Sequence, residues 1–139
     1  MNANGVTKLQ GWGVTILRVV VGIVFFVHGG QKLFIYGFGG VAGFMAQLGI
    51  PAPMLSALVV TAVEFLGGLA LALGLFTRWA AIPLAINMLV AILMVHLKAG
   101  FFLPNGYEFA LTLLGANIAL ALTGPGEAAI DAVLATRRA

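Results

Sequence analysis

The stretch MLSALVVTAVEFLGGLALALGLF, residues 54–76, decides the fold, because its 23 residues contain a single charged side chain, that of Glu64. About 20 apolar residues, at a rise of about 1.5 Å each in an α-helix, cross a hydrocarbon core of about 30 Å. The stretch therefore predicts a transmembrane helix. A carboxylate near the middle of such a helix is costly without a partner inside the bundle, so Glu64 is the first candidate functional residue.

The composition of the whole chain agrees with a membrane protein. Of its 139 residues, 62% are hydrophobic and 8% are charged, which excludes an ordinary soluble globular domain. Three further apolar stretches are candidate spans, at about residues 14–36, 80–97 and 107–123. Because little of the chain lies outside the four stretches, we predict an all-α fold in which residues 1–139 form one domain, a four-helix transmembrane bundle.

Two shorter helices are predicted outside the spans. Between spans one and two, apolar residues recur at helical spacing before the helix terminator Gly49, which indicates a short interfacial helix. After the Gly124-Pro125-Gly126 break, apolar residues lie on one side of a short C-terminal amphipathic helix. The first set consists of Phe38, Val41, Phe44, Met45 and Leu48, and the second of Ile130, Val133 and Leu134.

The basic residues predict the orientation of the chain. Four spans place both termini on one side, and five basic residues then fall on that side against two on the other. Because basic residues are enriched in cytoplasmic loops, we expect both termini to be cytoplasmic. This distribution also explains the net charge of +3 without nucleic-acid binding. The five residues are Lys8, Arg18, Arg78, Arg137 and Arg138, and the two are Lys32 and Lys98.

The chain contains no cysteine, which excludes disulfides, thiolate catalysis, iron–sulfur clusters and covalent haem attachment. His28 and His96 lie on different spans and could in principle ligate a haem. Their expected depths differ by roughly 10 Å at a regular helical rise, which argues against that arrangement. No metal site is predicted, and redox chemistry would need a bound cofactor.

Depth along the spans places one group of polar residues in the outer half of the bundle, away from the termini. We expect Glu64 to contact the face of span one that carries His28 and Lys32. A structural explanation stays open for each residue, because lysines near span ends reach the interface and buried polar groups hydrogen-bond within bundles. The candidate ligand-binding residues of this outer group are His28, Lys32, Glu64, His96 and Glu108.

A second group of polar residues lies near the cytoplasmic ends of the spans. Arg18, Arg78 and Asp131 are interpreted there as structural ion-pair residues. Asn87 and Asn117, within spans three and four, are interpreted as hydrogen-bonding contacts between helices. No residue is identified as catalytic.

These residues lie in segments that resemble the DoxX family of small four-span membrane proteins. The resemblance covers the chain from about residue 17 to residue 134, in the expected order. Its motifs are LRVVVGIVFFVHGGQKL at 17–33, LGIPAP at 48–53, VEFLGGLALALGLFTR at 63–78, His96, NGYEFAL at 105–111 and GPGEAAID at 124–131.

The resemblance implies a redox role at a bacterial inner membrane. The family takes its name from an archaeal thiosulfate:quinone oxidoreductase, and related proteins are associated with soluble redox partners. Our leading hypothesis is a component or accessory of a membrane redox system whose outer pocket binds a quinone or another amphipathic molecule. In this hypothesis Glu64 accepts a proton or a hydrogen bond, His28 and Lys32 orient the polar head, and His96 and Glu108 line the opening. The absence of cysteine argues against sulfane sulfur being taken up by this chain itself.

The competing hypothesis is a non-enzymatic scaffold or assembly factor. It would recruit a soluble redox enzyme through Arg18, Arg78, Asp131 and the basic tail at residues 137–138. A transporter is disfavoured, because four spans without an inverted repeat are few unless the chain oligomerises. Besides the lipid bilayer, the candidate partners are therefore a soluble redox protein and further copies of this chain.

Overall fold

The computed structural model describes residues 3–136 of the chain, with the side chains of residues 5 and 7–134. This part is all-helical and contains no strand, as the sequence predicts. Arg137 and Arg138 lie outside the described residues. In chain order the elements are α1 (Ala3–Gln31), a π-helical turn (Lys32–Tyr36), α2 (Gly37–Gln47), α3 (Pro53–Leu73), α4 (Thr77–Ala91), a second π-helical turn (Ile92–His96), a 3₁₀ turn (Leu97–Ala99), α5 (Glu108–Thr123) and α6 (Ile130–Thr136).

Within residues 3–136, three helical stretches are long and apolar enough to cross a membrane: Thr7–Gln47, Pro53–Leu73 and Thr77–Ala99. Helix α5 is apolar but has only 16 residues. Large apolar side chains point outward on several helices, as at Leu66, Ile86 and Leu122, which are 60%, 58% and 72% exposed. A surface of this kind is a liability in water and is suited to contact with the lipid bilayer.

Helices α1 and α3 form the closest helix pair, because glycines bring their backbones together. A Cβ atom added at Gly68 of α3 would lie 2.3 Å from the Phe26 amide nitrogen of α1. A Cβ atom at Gly22 would meet the Ala72 nitrogen at 2.4 Å, and one at Gly29 would meet the Phe65 nitrogen at 2.4 Å. Such small-residue contacts are the usual means of close helix packing in membranes. They hold the polar side chains of α1 at a fixed depth relative to those of α3.

The first span and the short helix after it are joined without a loop. Helix α1, the π-helical turn and α2 run continuously through residue 47, with a break in helical geometry at Gly37, where φ is 67° and ψ is 163°. Helix α2 then packs on α3, with Val41, Ala42 and Met45 buried against Ala57. This places α2 over the end of the bundle that contains Lys32.

The first half of α1 meets the segment that follows α5 at the opposite end of the bundle. The Glu127 backbone N–H donates to the Gly11 carbonyl at 3.3 Å and to Thr15 Oγ1 at 3.0 Å. Helix α5 therefore returns the chain from the His96 end to the end where α1 begins. Helix α5 is shorter than the other three apolar stretches.

Candidate functional site

Glu64 of α3 has a charged partner in the π-helical turn that continues α1, as the depth argument predicts for span one. Lys32 Nζ donates to Glu64 Oε2, and this is the ion pair found in the described part of the chain. The Glu64 side chain is 5% exposed and the Lys32 side chain 23% exposed. The carboxylate is therefore isolated from solvent, whereas the ammonium group lies at the edge of the buried region.

Asn87 of α4 supplies the second hydrogen bond to Glu64. Its Nδ2 donates to Glu64 Oε1 at 2.8 Å, so both carboxylate oxygens have partners. The bond confirms the interpretation of Asn87 as an inter-helix contact, but the sequence did not indicate which residue it would meet. Asn117 behaves differently, because its Nδ2 donates to Leu113 of the same helix at 2.8 Å.

The Lys32–Glu64–Asn87 cluster lies on the wall of a cavity of about 610 Å³ to which helices α1 to α5 all contribute residues. This volume is within the range of small-molecule sites, and such sites are mostly apolar with a few polar groups that orient the ligand. Here six of the 25 lining residues have polar side chains, and the remainder are mainly aliphatic or aromatic. The six are His28, Lys32, Ser56, Glu64, Asn87 and His96.

Both histidines of the cavity are held by hydrogen bonds to backbone carbonyls. His28 Nδ1 lies 2.9 Å from the Val24 carbonyl oxygen, and His96 Nδ1 lies 2.8 Å from that of Asn105. A carbonyl oxygen only accepts, so Nδ1 carries the proton in each ring. In the neutral form of each ring, Nε2 then has a lone pair that can accept a hydrogen bond.

Two π-helical turns adjoin the cavity, and each carries one of its basic residues. Lys32 begins the turn that follows α1, and His96 ends the turn that follows α4. A π-helical turn changes the direction in which the following side chains point, and such turns are frequent at functional sites. Helical periodicity alone did not reveal them.

Glu108 does not line the cavity, in contrast to the role expected for it at the opening. Its Oε1 accepts a hydrogen bond from the Leu103 N–H at 2.7 Å. The carboxylate therefore fixes the loop between the second π-helical turn and α5. Four of the five candidate ligand-binding residues, His28, Lys32, Glu64 and His96, lie together in the cavity lining.

Arg18 lies at the opposite end of the bundle and binds main-chain carbonyls, where an ion pair was expected. The residue is 1% exposed, and its guanidinium donates to the carbonyls of Leu71, Ala72, Pro125 and Ala128. The last carbonyls of a helix have no intrahelical partner, so the Arg18 guanidinium supplies hydrogen-bond donors at the C-terminal end of α3. Its positive charge also interacts favourably with the negative end of the helix dipole.

Asp131 binds backbone N–H groups at the start of α4, as Arg18 binds carbonyls at the end of α3. Its carboxylate accepts hydrogen bonds from the backbone N–H groups of Phe76 and Thr77, at 2.8 and 3.0 Å. Phe76 has a φ of 48°, which is uncommon for a residue with a side chain, and the bond to Asp131 holds it there. Arg78 donates to the Ala121 carbonyl at 3.5 Å. Among the residues described, neither arginine pairs directly with Asp131.

No group of three or more histidine, aspartate or glutamate residues suited to a metal ion occurs within residues 3–136. The polar groups of the cavity lining are one ammonium group, one carboxylate, one amide, one hydroxyl and two imidazoles. These groups can orient a polar head by hydrogen bonds and can exchange protons with it.

Comparisons with known proteins identify relatives of the chain. A protein of Bacillus subtilis (strain 168) named "Putative oxidoreductase CatD" is 40% identical over 119 residues, which cover 86% of this chain and 84% of the relative. Inner membrane protein YqjF of Escherichia coli (strain K12) is 33% identical over 133 residues, covering 91% and 95%. Inner membrane protein YphA of the same organism is 32% identical over 122 residues, covering 84% and 86%. No solved structure matches the chain significantly.

The family model named DoxX matches residues 13–97. This range holds the α1–α3 packing and the Lys32–Glu64–Asn87 cluster. Together with relatives of more than 30% identity over most of their length, the match is sufficient for assignment. The chain therefore belongs to the DoxX family of membrane proteins.

Proposed function

We propose that the protein binds a quinone-like amphipathic molecule in its cavity and serves a membrane redox system as a component or accessory. The observation that carries the proposal is the Lys32–Glu64–Asn87 cluster on the wall of an otherwise largely apolar space. A buried, fully hydrogen-bonded polar cluster can be purely structural, but here it adjoins a volume that a small molecule can fill. The name of the CatD relative, which includes the word oxidoreductase, supports a redox context.

The hydrogen-bonding capacity of the cavity suits both oxidation states of a quinone head. The Lys32 ammonium has three N–H groups and gives one to Glu64, so it keeps donors for a quinone carbonyl. In the neutral form of His28 and His96, the Nε2 lone pair can accept a hydrogen bond from a hydroxyl group of a hydroquinone. Lys32 is therefore the proposed anchor of the oxidised head, and the two histidines are the proposed acceptors for the reduced head.

We place the protein in the bacterial inner membrane with four spans and cytoplasmic termini. The proximity of Gly11 to Glu127 supports termini on the same side, and α5 packs against α4. The excess of basic residues at that end supports the cytoplasmic orientation. The cavity then lies in the outer half of the membrane, where a lipid-soluble ligand is available.

The contacts at the cytoplasmic end weigh against a scaffold that recruits a soluble enzyme through Arg18 and Asp131. Arg18 is 1% exposed, and Asp131 is engaged with the start of α4, so neither is free to recruit a soluble enzyme. Their role is to close the bundle by binding helix ends. The cavity is therefore the better-supported functional feature.

The proposal predicts that the purified protein retains a lipid-soluble redox molecule. Organic extraction and mass spectrometry of wild-type protein should detect a quinone-like compound enriched over its level in the surrounding membrane. A double variant with Lys32→Met and Glu64→Leu should lose the compound, because the head anchor is absent. Lys98→Met, which removes an exposed lysine outside the cavity lining, should retain it. Extraction of bulk phospholipid alone from every sample would contradict the proposal.

A further inference from the structure

A second, smaller hollow lies between α3 and α4 and adjoins the main cavity. It has a volume of about 220 Å³, and it shares with the cavity the lining residues Val59, Val60, Asn87 and Val90. Ile86 and Val63 line the hollow but not the cavity. The hollow is therefore a crevice that adjoins the polar cluster through Asn87.

The crevice has the chemistry of a path for hydrocarbon. Its only polar lining side chain is that of Asn87, which stands where the crevice meets the cavity. Val59, Ile86 and Val90 are 52%, 58% and 42% exposed, so the crevice reaches the outer surface of the bundle. Both of its walls belong to helices long and apolar enough to cross a membrane, and that surface accordingly faces lipid.

We propose that the α3–α4 crevice is a lateral portal that holds the apolar tail of the cavity ligand. This inference rests on the proposed function, and it specifies the ligand as a molecule with a polar head and a hydrocarbon tail. The head lies at Lys32, Glu64 and Asn87, and the tail passes Asn87 and leaves between the two helices into the bilayer. The four shared lining residues carry the assignment, because they make the crevice the apolar space that adjoins a head group bound at this cluster.

The portal can be tested with two probes that share one head. The first is a 2,3-dimethoxy-5-methyl-1,4-benzoquinone without a tail, and the second carries a decyl chain on the same ring. Their affinities are measured for wild-type protein in lipid nanodiscs. The decyl probe should bind at least ten times more tightly than the tail-less probe, after correction for its partition into lipid measured with empty nanodiscs.

Two tryptophan variants at lipid-facing positions distinguish blockage of the portal from the effect of adding a tryptophan elsewhere on the lipid-facing surface. Ile86→Trp places a large side chain in the crevice and should weaken decyl-probe binding at least tenfold, leaving the tail-less probe unchanged. Leu66→Trp is the matched control, because Leu66 is 60% exposed on α3 and lines neither space. It should leave both probes unchanged.

The outcomes distinguish the portal from the function on which it rests. If the decyl probe binds wild-type protein and Ile86→Trp has no greater effect than Leu66→Trp, the portal is wrong and the cavity site stands. If neither probe binds wild-type protein, the proposed function fails and the portal fails with it. A tenfold loss of affinity that affects only the decyl probe, and only in Ile86→Trp, supports both the portal and the proposed function.

Discussion

Replacing Lys32 with methionine is expected to lower the free energy of unfolding by about 3–5 kcal/mol, because it leaves a buried carboxylate without its countercharge. Glu64→Leu should lower the free energy of unfolding by a smaller amount. The Lys32 side chain is 23% exposed, so an unpaired ammonium group can reach toward water, whereas the Glu64 side chain is 5% exposed and cannot. Urea unfolding of the two single variants in detergent, followed by circular dichroism at 222 nm, measures the difference.

The double variant Lys32→Met, Glu64→Leu distinguishes the contribution of the ion pair to stability from its contribution to ligand binding. Apolar replacement of both members of a buried ion pair is often neutral or stabilising, so the double variant should recover most of the stability lost by Lys32→Met. It should nevertheless bind a quinone probe far more weakly, because the proposed anchor of the head, Lys32, and its partner Glu64 are gone. Equal destabilisation by the two single variants would contradict the inferred difference in burial.

Arg18→Met is expected to release the C-terminal segment from the bundle and to destabilise the protein by at least about 3 kcal/mol. The substitution removes charge-assisted hydrogen bonds to four carbonyls, and each such bond contributes roughly 1.5–3 kcal/mol when its partner is charged. Hydrogen exchange measured by mass spectrometry should show faster exchange in residues 124–136. The Asp131 N–H, which donates to the Gly74 carbonyl at 2.9 Å, lies in this segment.

The control for Arg18→Met is Lys98→Met, which removes one positive charge from an exposed position. It should leave exchange in residues 124–136 unchanged. The cavity is lined by other residues, so a folded Arg18→Met protein should still bind the quinone probe. Unaltered exchange in residues 124–136 of Arg18→Met would show that the segment is held by other contacts.

Much of the fold was accessible from hydropathy and helical spacing. Residues 54–76 predicted α3, observed at Pro53–Leu73, because a long apolar run with one charge has few alternatives in a membrane. Depth along the spans also placed Glu64 beside Lys32, since both the helical rise and the bilayer thickness are fixed. These predictions succeeded because they depend on local periodicity and on one geometric constraint.

The remaining features depend on contacts between residues far apart in sequence. The choice of Asn87 as the second partner of Glu64 follows from the rotation of α4 about its axis, which hydropathy does not specify. The partners of Arg18 and Asp131 are backbone groups, and backbone groups carry no signal in the sequence. Glu108 lies at a depth compatible with the cavity, yet its carboxylate binds the Leu103 N–H of the preceding loop. Depth alone could not distinguish these two outcomes.

The most direct test of a quinone-like ligand at the Lys32–Glu64–Asn87 cluster is the equilibrium affinity for the decyl benzoquinone probe. It is measured in nanodiscs for wild-type protein and for the double variant Lys32→Met, Glu64→Leu, with empty nanodiscs to correct for partition. We predict saturable binding to wild-type protein and at least a hundredfold weaker binding to the folded double variant, equivalent to about 2.7 kcal/mol. Equal binding to the two proteins would contradict the assignment of the head group to this cluster.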